Sequence, residues 1–87
     1  MPEGYKVRLI AATKSELESL HNPTLKRIVM ALSALSENPR PRGCKKLVGS
    51  STKYRLRVGD YRIIYEIEDS EQTVMVYRIR HRKEVYD

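Results

Sequence analysis

Between Lys53 and Tyr65 the chain alternates with a period of two. Tyr54, Leu56 and Val58 fall on one side, and Lys53, Arg55 and Arg57 fall on the other. Gly59-Asp60 then offers a two-residue hairpin turn. This register predicts Val58 opposite Tyr61, Leu56 opposite Ile63 and Tyr54 opposite Tyr65. The second face of the hairpin carries Lys53, Arg55, Arg57 and Arg62. Like charges side by side on a sheet cost stability, so a hairpin that keeps four of them is expected to meet a polyanion.

The remaining elements follow from the same kind of pattern. Tyr5 to Ile10 alternates and predicts a half-buried strand. Thr13 with Glu16 has the spacing of a capping box for a short helix holding Leu17 and Leu20. Asn22 suits an N-cap and Pro23 a first helical position. Leu25, Ile28, Val29, Leu32 and Leu35 recur at helical spacing until Asn38-Pro39 stops the run. Residues 39–52 read as a loop carrying Arg40, Arg42, Lys45 and Lys46, which would contact phosphates beside the cationic strand face. After the second turn, Asp69-Ser70-Glu71-Gln72, the segment Thr73–Ile79 predicts a fourth strand. An odd loop would set Met75, Tyr77 and Ile79 in the core and Arg78, Arg80 and Arg82 on the cationic face. A four-residue loop would turn Arg78 and Arg80 inward. Unpaired buried arginines are costly, which favours the odd loop. The order is strand, two helices, three antiparallel strands. It predicts an α+β domain over residues 1–87, with a helical hairpin packed on a small twisted sheet and the first strand returning beside the last.

Composition sharpens the picture. The 87 residues have no Trp and no Phe, and all six aromatics are Tyr. A chain of this length buries only about 60–65% of its unfolded surface, so its core must be small. The formal net charge is +6, and twelve of the 17 Lys and Arg lie after residue 39. A basic surface concentrated in one half suits a nucleic-acid partner. The single Cys44 excludes an intramolecular disulfide and a Cys-rich zinc site, and it reads as an inert thiol in a reducing cytoplasm. No apolar run is long enough to span a membrane, and no signal-peptide core is present.

The combination YRLRVGDYRIIY and IRHRKEVY resembles the RelE/ParE toxin superfamily, and within it the RelE branch. The resemblance extends over nearly the whole chain. It implies a toxin of a type II toxin-antitoxin system: a ribosome-dependent endoribonuclease that cuts messenger RNA in the A site by 2'-hydroxyl attack. The implied chemistry uses neither metal nor cofactor. Implied partners are the ribosome, its mRNA and a cognate antitoxin, RelB-like or other. By the resemblance, Lys53 and Arg55 occupy the positions of two strand lysines and Arg62 that of the phosphate-clamping arginine. Arg82 matches the arginine that stabilises the leaving oxygen, with Arg80 as its rival. Tyr86 matches a base-orienting tyrosine. Arg57, Arg78 and Arg80 join the loop cations as RNA contacts.

Two departures from the family pattern bear on mechanism. Arg55 stands where the family has a lysine assigned as general base, and arginine does not give up its proton in this range. Lys53 or His81 would then take that role. The chain also stops one residue after Tyr86, whereas many RelE toxins continue into a helix that antitoxins displace. The same scaffold carries other functions: a ParE-like inhibitor of DNA gyrase, or a RelE homologue that binds RNA without cutting it.

Overall fold

A computed structural model describes residues 4–84. Its sheet comprises β1 (Lys6–Leu9), β2 (Lys45–Lys46), β3 (Lys53–Val58), β4 (Tyr61–Glu68) and β5 (Thr73–His81). Two helices, α1 (Ala11–Glu18) and α2 (Thr24–Glu37), come between β1 and β2. The strand order is β1-β5-β4-β3-β2, and β1 lies parallel to β5 while the other pairs are antiparallel. The first strand therefore returns beside the last, as expected. The two-residue strand β2 falls inside the expected loop and is an addition to the predicted order.

The hairpin has the predicted register: Tyr54 pairs with Tyr65, Leu56 with Ile63 and Val58 with Tyr61. Gly59 has φ +59°, a left-handed conformation that the first turn position requires and that glycine adopts without a Cβ penalty. Ile28, Leu32 and Leu35 of α2 pack on Tyr54, Leu56, Ile63, Tyr65, Ile67, Val74, Val76 and Ile79 of the sheet. Each such aliphatic side chain contributes roughly 1.5–3 kcal/mol by leaving water. Val29, from the same sequence stripe, is instead 47% exposed.

The fourth antiparallel strand corrects the expected register. Its loop has four residues, because Glu68 pairs with Thr73 and Ile67 with Val74. Val74 and Val76 are therefore in the core, while Met75 pairs with Glu66 on the outer face. A bulge then intervenes: Tyr65 pairs with Val76 and Ile64 with Arg78, leaving Tyr77 as the extra residue. That one residue resets the phase. Ile79 goes inward and Arg78 and Arg80 stay outward. The cost of burying arginine is avoided by a bulge rather than by an odd loop.

Thr13 and Glu16 do not form a capping box. Ile10 holds the N-cap position of α1 without a side-chain cap, and Thr13 is fully buried inside the helix, donating from Oγ1 to the Val76 carbonyl at 3.0 Å. Glu16 accepts from the Ile79 N–H at 2.8 Å and from Arg80 Nε at 2.6 Å. Strand β1 ends at Leu9, beside Val76; beyond it the Ile79 N–H takes Glu16 as its partner, and the Val76 carbonyl accepts from Thr13 as well as from the Ile10 N–H at 3.3 Å. Asn22 likewise does not cap α2: Pro23, after a cis peptide bond, occupies that position.

Candidate functional site

The site is built on the sheet face opposite the helices. In antiparallel strands directly paired residues point to the same side. Arg57 pairs with Arg62, and Arg62 with Arg80. One straight row across β3, β4 and β5 is therefore Arg57–Arg62–Arg80. The next row is Arg55, Ile64 and Arg78, and Lys45 of β2 extends it beyond Arg55. Lys46, one residue on, alternates to the other face, where its Nζ lies 5.9 Å from the Tyr54 ring centroid.

A depression of about 220 Å³ opens between these rows, lined by Gly43, Lys45, Arg55, Arg57 and Arg62. Among the described residues, four cations and no carboxylate line it. Nη1 of Arg62 is buried and has no hydrogen-bond partner among the described residues. A desolvated guanidinium nitrogen without an acceptor is costly. Bidentate geometry makes arginine well suited to phosphate.

Lys53 occupies the far end of the face. It pairs with Glu66, and its Nζ lies 5.5 Å from the Tyr77 ring centroid. The Glu66 carboxylate accepts from Thr52 Oγ1 at 2.7 Å and Tyr77 OH at 2.9 Å. Those two bonds, with the nearby Lys53 charge, hold its carboxyl below the usual range. Neither Glu66 nor Tyr77 figured among the predicted site residues. Glu66 was within reach of the hairpin register, since one further pair sets it opposite Lys53. Tyr77 needed the bulge.

Other predicted residues lie elsewhere. His81 pairs with Tyr61 on the helix-side face and meets its ring edge-on at 5.3 Å. Its Nδ1 accepts from the Lys83 N–H at 3.2 Å, and it lines a separate cavity with Thr24, Arg27 and Asp60. The two-residue period of β5 thus separates it from the cationic depression. Arg82 lies past the end of β5, its backbone N–H bonded to the Asp60 carbonyl at 2.7 Å and its Nε 3.8 Å from Asp60 Oδ1. Of the two rivals, Arg80 holds the row position paired with Arg62. Arg78 is exposed, as is Arg42 in the loop. Tyr86 lies outside the described residues.

Arg40 is also displaced from the expected cationic face. It donates to both Asp69 oxygens, at 3.2 and 2.8 Å, and to Tyr54 OH at 3.1 Å. Tyr5 OH donates to the same carboxylate at 2.6 Å. The Arg40 and Tyr5 bonds lower the Asp69 carboxyl to about 2. A carboxyl lowered by folding stabilises the fold above its unfolded pKa of 3.8, and the contribution fades as pH falls towards about 2. Asp69→Asn is therefore expected to be less stable than wild type at pH 6–7, by a margin that shrinks near about pH 3. Urea unfolding at both pH values measures this; a margin independent of pH would contradict it.

Comparison with known proteins gives a consistent answer. A family model described as the ParE toxin of type II toxin-antitoxin systems, parDE, matches residues 7–86. Toxin RelG of Mycobacterium tuberculosis is 31% identical over 86 residues, covering 94% of this chain and 95% of RelG. The archaeal RelE–RelB complex from Pyrococcus horikoshii contains a chain that superposes with a TM-score of 0.82 at 26% identity, covering 94% of this chain and 99% of that one. A chain of the M. tuberculosis toxin-antitoxin complex RelBE2 gives 0.78 at 30% identity, with 93% and 94% covered. The chain belongs to the RelE/ParE superfamily of type II toxins. Within that superfamily it is a toxin of the RelE type.

Proposed function

We propose that this toxin is a ribosome-dependent endoribonuclease that cuts mRNA in the A site without a metal ion. The observation that carries the reading is the Arg57–Arg62–Arg80 row beside a depression lined by Arg62, whose Nη1 is buried without a partner among the described residues. Attack of a 2'-oxygen on phosphorus develops charge on the phosphoryl oxygens, and fixed cations stabilise it most where water is excluded. Arg62 clamps the scissile phosphate and Arg57 supports it. Arg80 stabilises the departing 5'-oxygen. Arg55 holds its proton and contributes charge. Lys53 holds the RNA strand at the far end of the face, and Tyr86 orients a base. Arg42 and Arg78 contact phosphates outside the cleavage point. The products are a 2',3'-cyclic phosphate and a 5'-hydroxyl. An acidic segment of a RelB-like antitoxin would neutralise the same face, and the work is done in the cytoplasm, where ribosomes are.

Primer extension on a defined message tests the reading. Cuts that need programmed ribosomes and vanish with Arg62→Ala are expected. The match to the ParE model favours a second reading, inhibition of gyrase; intact messages together with blocked DNA supercoiling would select it. The register also makes a finer prediction. Arg80→Ala should slow cleavage by about 10²-fold or more, whereas Arg82→Ala should cost less than about tenfold. The reverse ranking in single-turnover rates would restore Arg82 as the leaving-group arginine.

A further inference from the structure

Proton transfer in that reaction needs a group that can be neutral, and the two candidates offered by the sequence, His81 and Lys53, are far from the phosphate clamp. His81 faces the helices. Lys53 lies four residues along β3 from Arg57, about 13 Å at strand spacing, and does not line the depression. Lys45 does line it. Its pairing with Arg55 sets it on the cationic face, and the contact of Lys46 with Tyr54 on the other face fixes that alternation independently. Gly43, with φ +95°, forms the same wall and projects no side chain. The groups that face Lys45 are Arg55 and Arg57 from β3 and Arg62 from β4. All three are guanidinium ions that hold their protons throughout the working range. Among the described residues that line the depression, Lys45 is the one cation that is an amine rather than a guanidinium.

We infer that Lys45 is the general base of the proposed cleavage, standing across the β2–β3 ladder from the arginine that replaces the family's lysine; this rests on the endoribonuclease reading above. The neutral amine takes the 2'-hydroxyl proton as the O2'–P bond forms and the P–O5' bond breaks. The departing 5'-oxygen takes a proton from water, and the resulting ammonium later returns its proton to solvent. No oxidant, reductant or metal enters this balance.

Single-turnover cleavage on programmed ribosomes, followed over roughly pH 6–9, tests it. Wild type should accelerate as pH rises through this range. Lys45→Arg keeps the charge and the β2 ladder yet cannot accept the proton. It should lose about 10²-fold or more in rate and lose the pH slope. Lys53→Arg should keep the slope. A Lys45→Arg variant with the wild-type rate and slope would overturn the inference, leaving Lys45 as a counter-charge. A slope lost only in Lys53→Arg would overturn it in favour of Lys53. Wild type that cuts no message at any pH would overturn the nuclease reading itself, an outcome distinct from both.

Discussion

Arg62→Ala is expected to separate activity from stability. The single-turnover cleavage rate should fall by about 10²–10³-fold, the scale of removing one fixed donor to a developing anion. Folding stability should hold or rise by about 1 kcal/mol. The two effects share a cause. Arg62 is placed by direct pairing between Arg57 and Arg80, and like charges paired across strands repel. Its Nη1 is buried without an acceptor among the described residues. Both terms penalise the free toxin, and on the proposed reading a bound phosphate would offset them. Alanine removes the penalty along with the clamp. Cleavage rates and urea unfolding on the same preparations check this pair of signs. A variant that loses both activity and stability would make Arg62 a structural residue. One that keeps the wild-type rate would move the clamp elsewhere on the face.

Antitoxin binding follows the same logic. A face that is under-satisfied alone favours any polyanion. An acidic protein segment on that face would therefore compete with RNA for the same charges, and salt would weaken both.

How much of this was legible in the sequence differs between elements for physical reasons. The β3–β4 hairpin could be read to the individual pair because alternation, a glycine turn and a two-residue loop all demand one register. The same register contained Glu66, had it been carried one pair further. β5 could not be read that way. Its phase depends on the bulge at Tyr77, and no residue type marks a bulge as glycine marks a turn. Strand β2 is two residues long and exists because β3 offers an open edge; Lys45-Lys46 alone has no strand signal. Position along the chain misled for Arg40, since Asp69, which holds it, is 29 residues away. His81 was misplaced by composition: it sits between Arg80 and Arg82 in sequence, but the strand's alternation turns it to the other side.

Glu16 shows what local spacing conceals, and it carries the second large effect. Thr-x-x-Glu ahead of apolar residues is a capping pattern, yet here both side chains serve β5 from within α1. The Glu16 carboxylate is the acceptor for a strand-edge N–H and for the Arg80 guanidinium together. With the Arg80 and Glu16 side chains 35% and 20% exposed, the pair is only partly desolvated. Its loss therefore belongs with hydrogen bonds to charged groups rather than with fully buried ion pairs. Glu16→Leu should lower stability by roughly 2–3 kcal/mol, because the Ile79 N–H loses its partner at a position that water reaches poorly. It should also slow cleavage, since Arg80 loses the anchor that holds it across from Arg62. Glu16→Gln retains an acceptor for the N–H but not the charge, so it should recover most of the stability and less of the rate. A double-mutant cycle with Arg80→Ala separates the two roles. Coupling between Glu16 and Arg80 in the cleavage rate as well as in unfolding means that α1 positions the reacting face. Coupling in unfolding alone would confine Glu16 to closing the edge of the sheet.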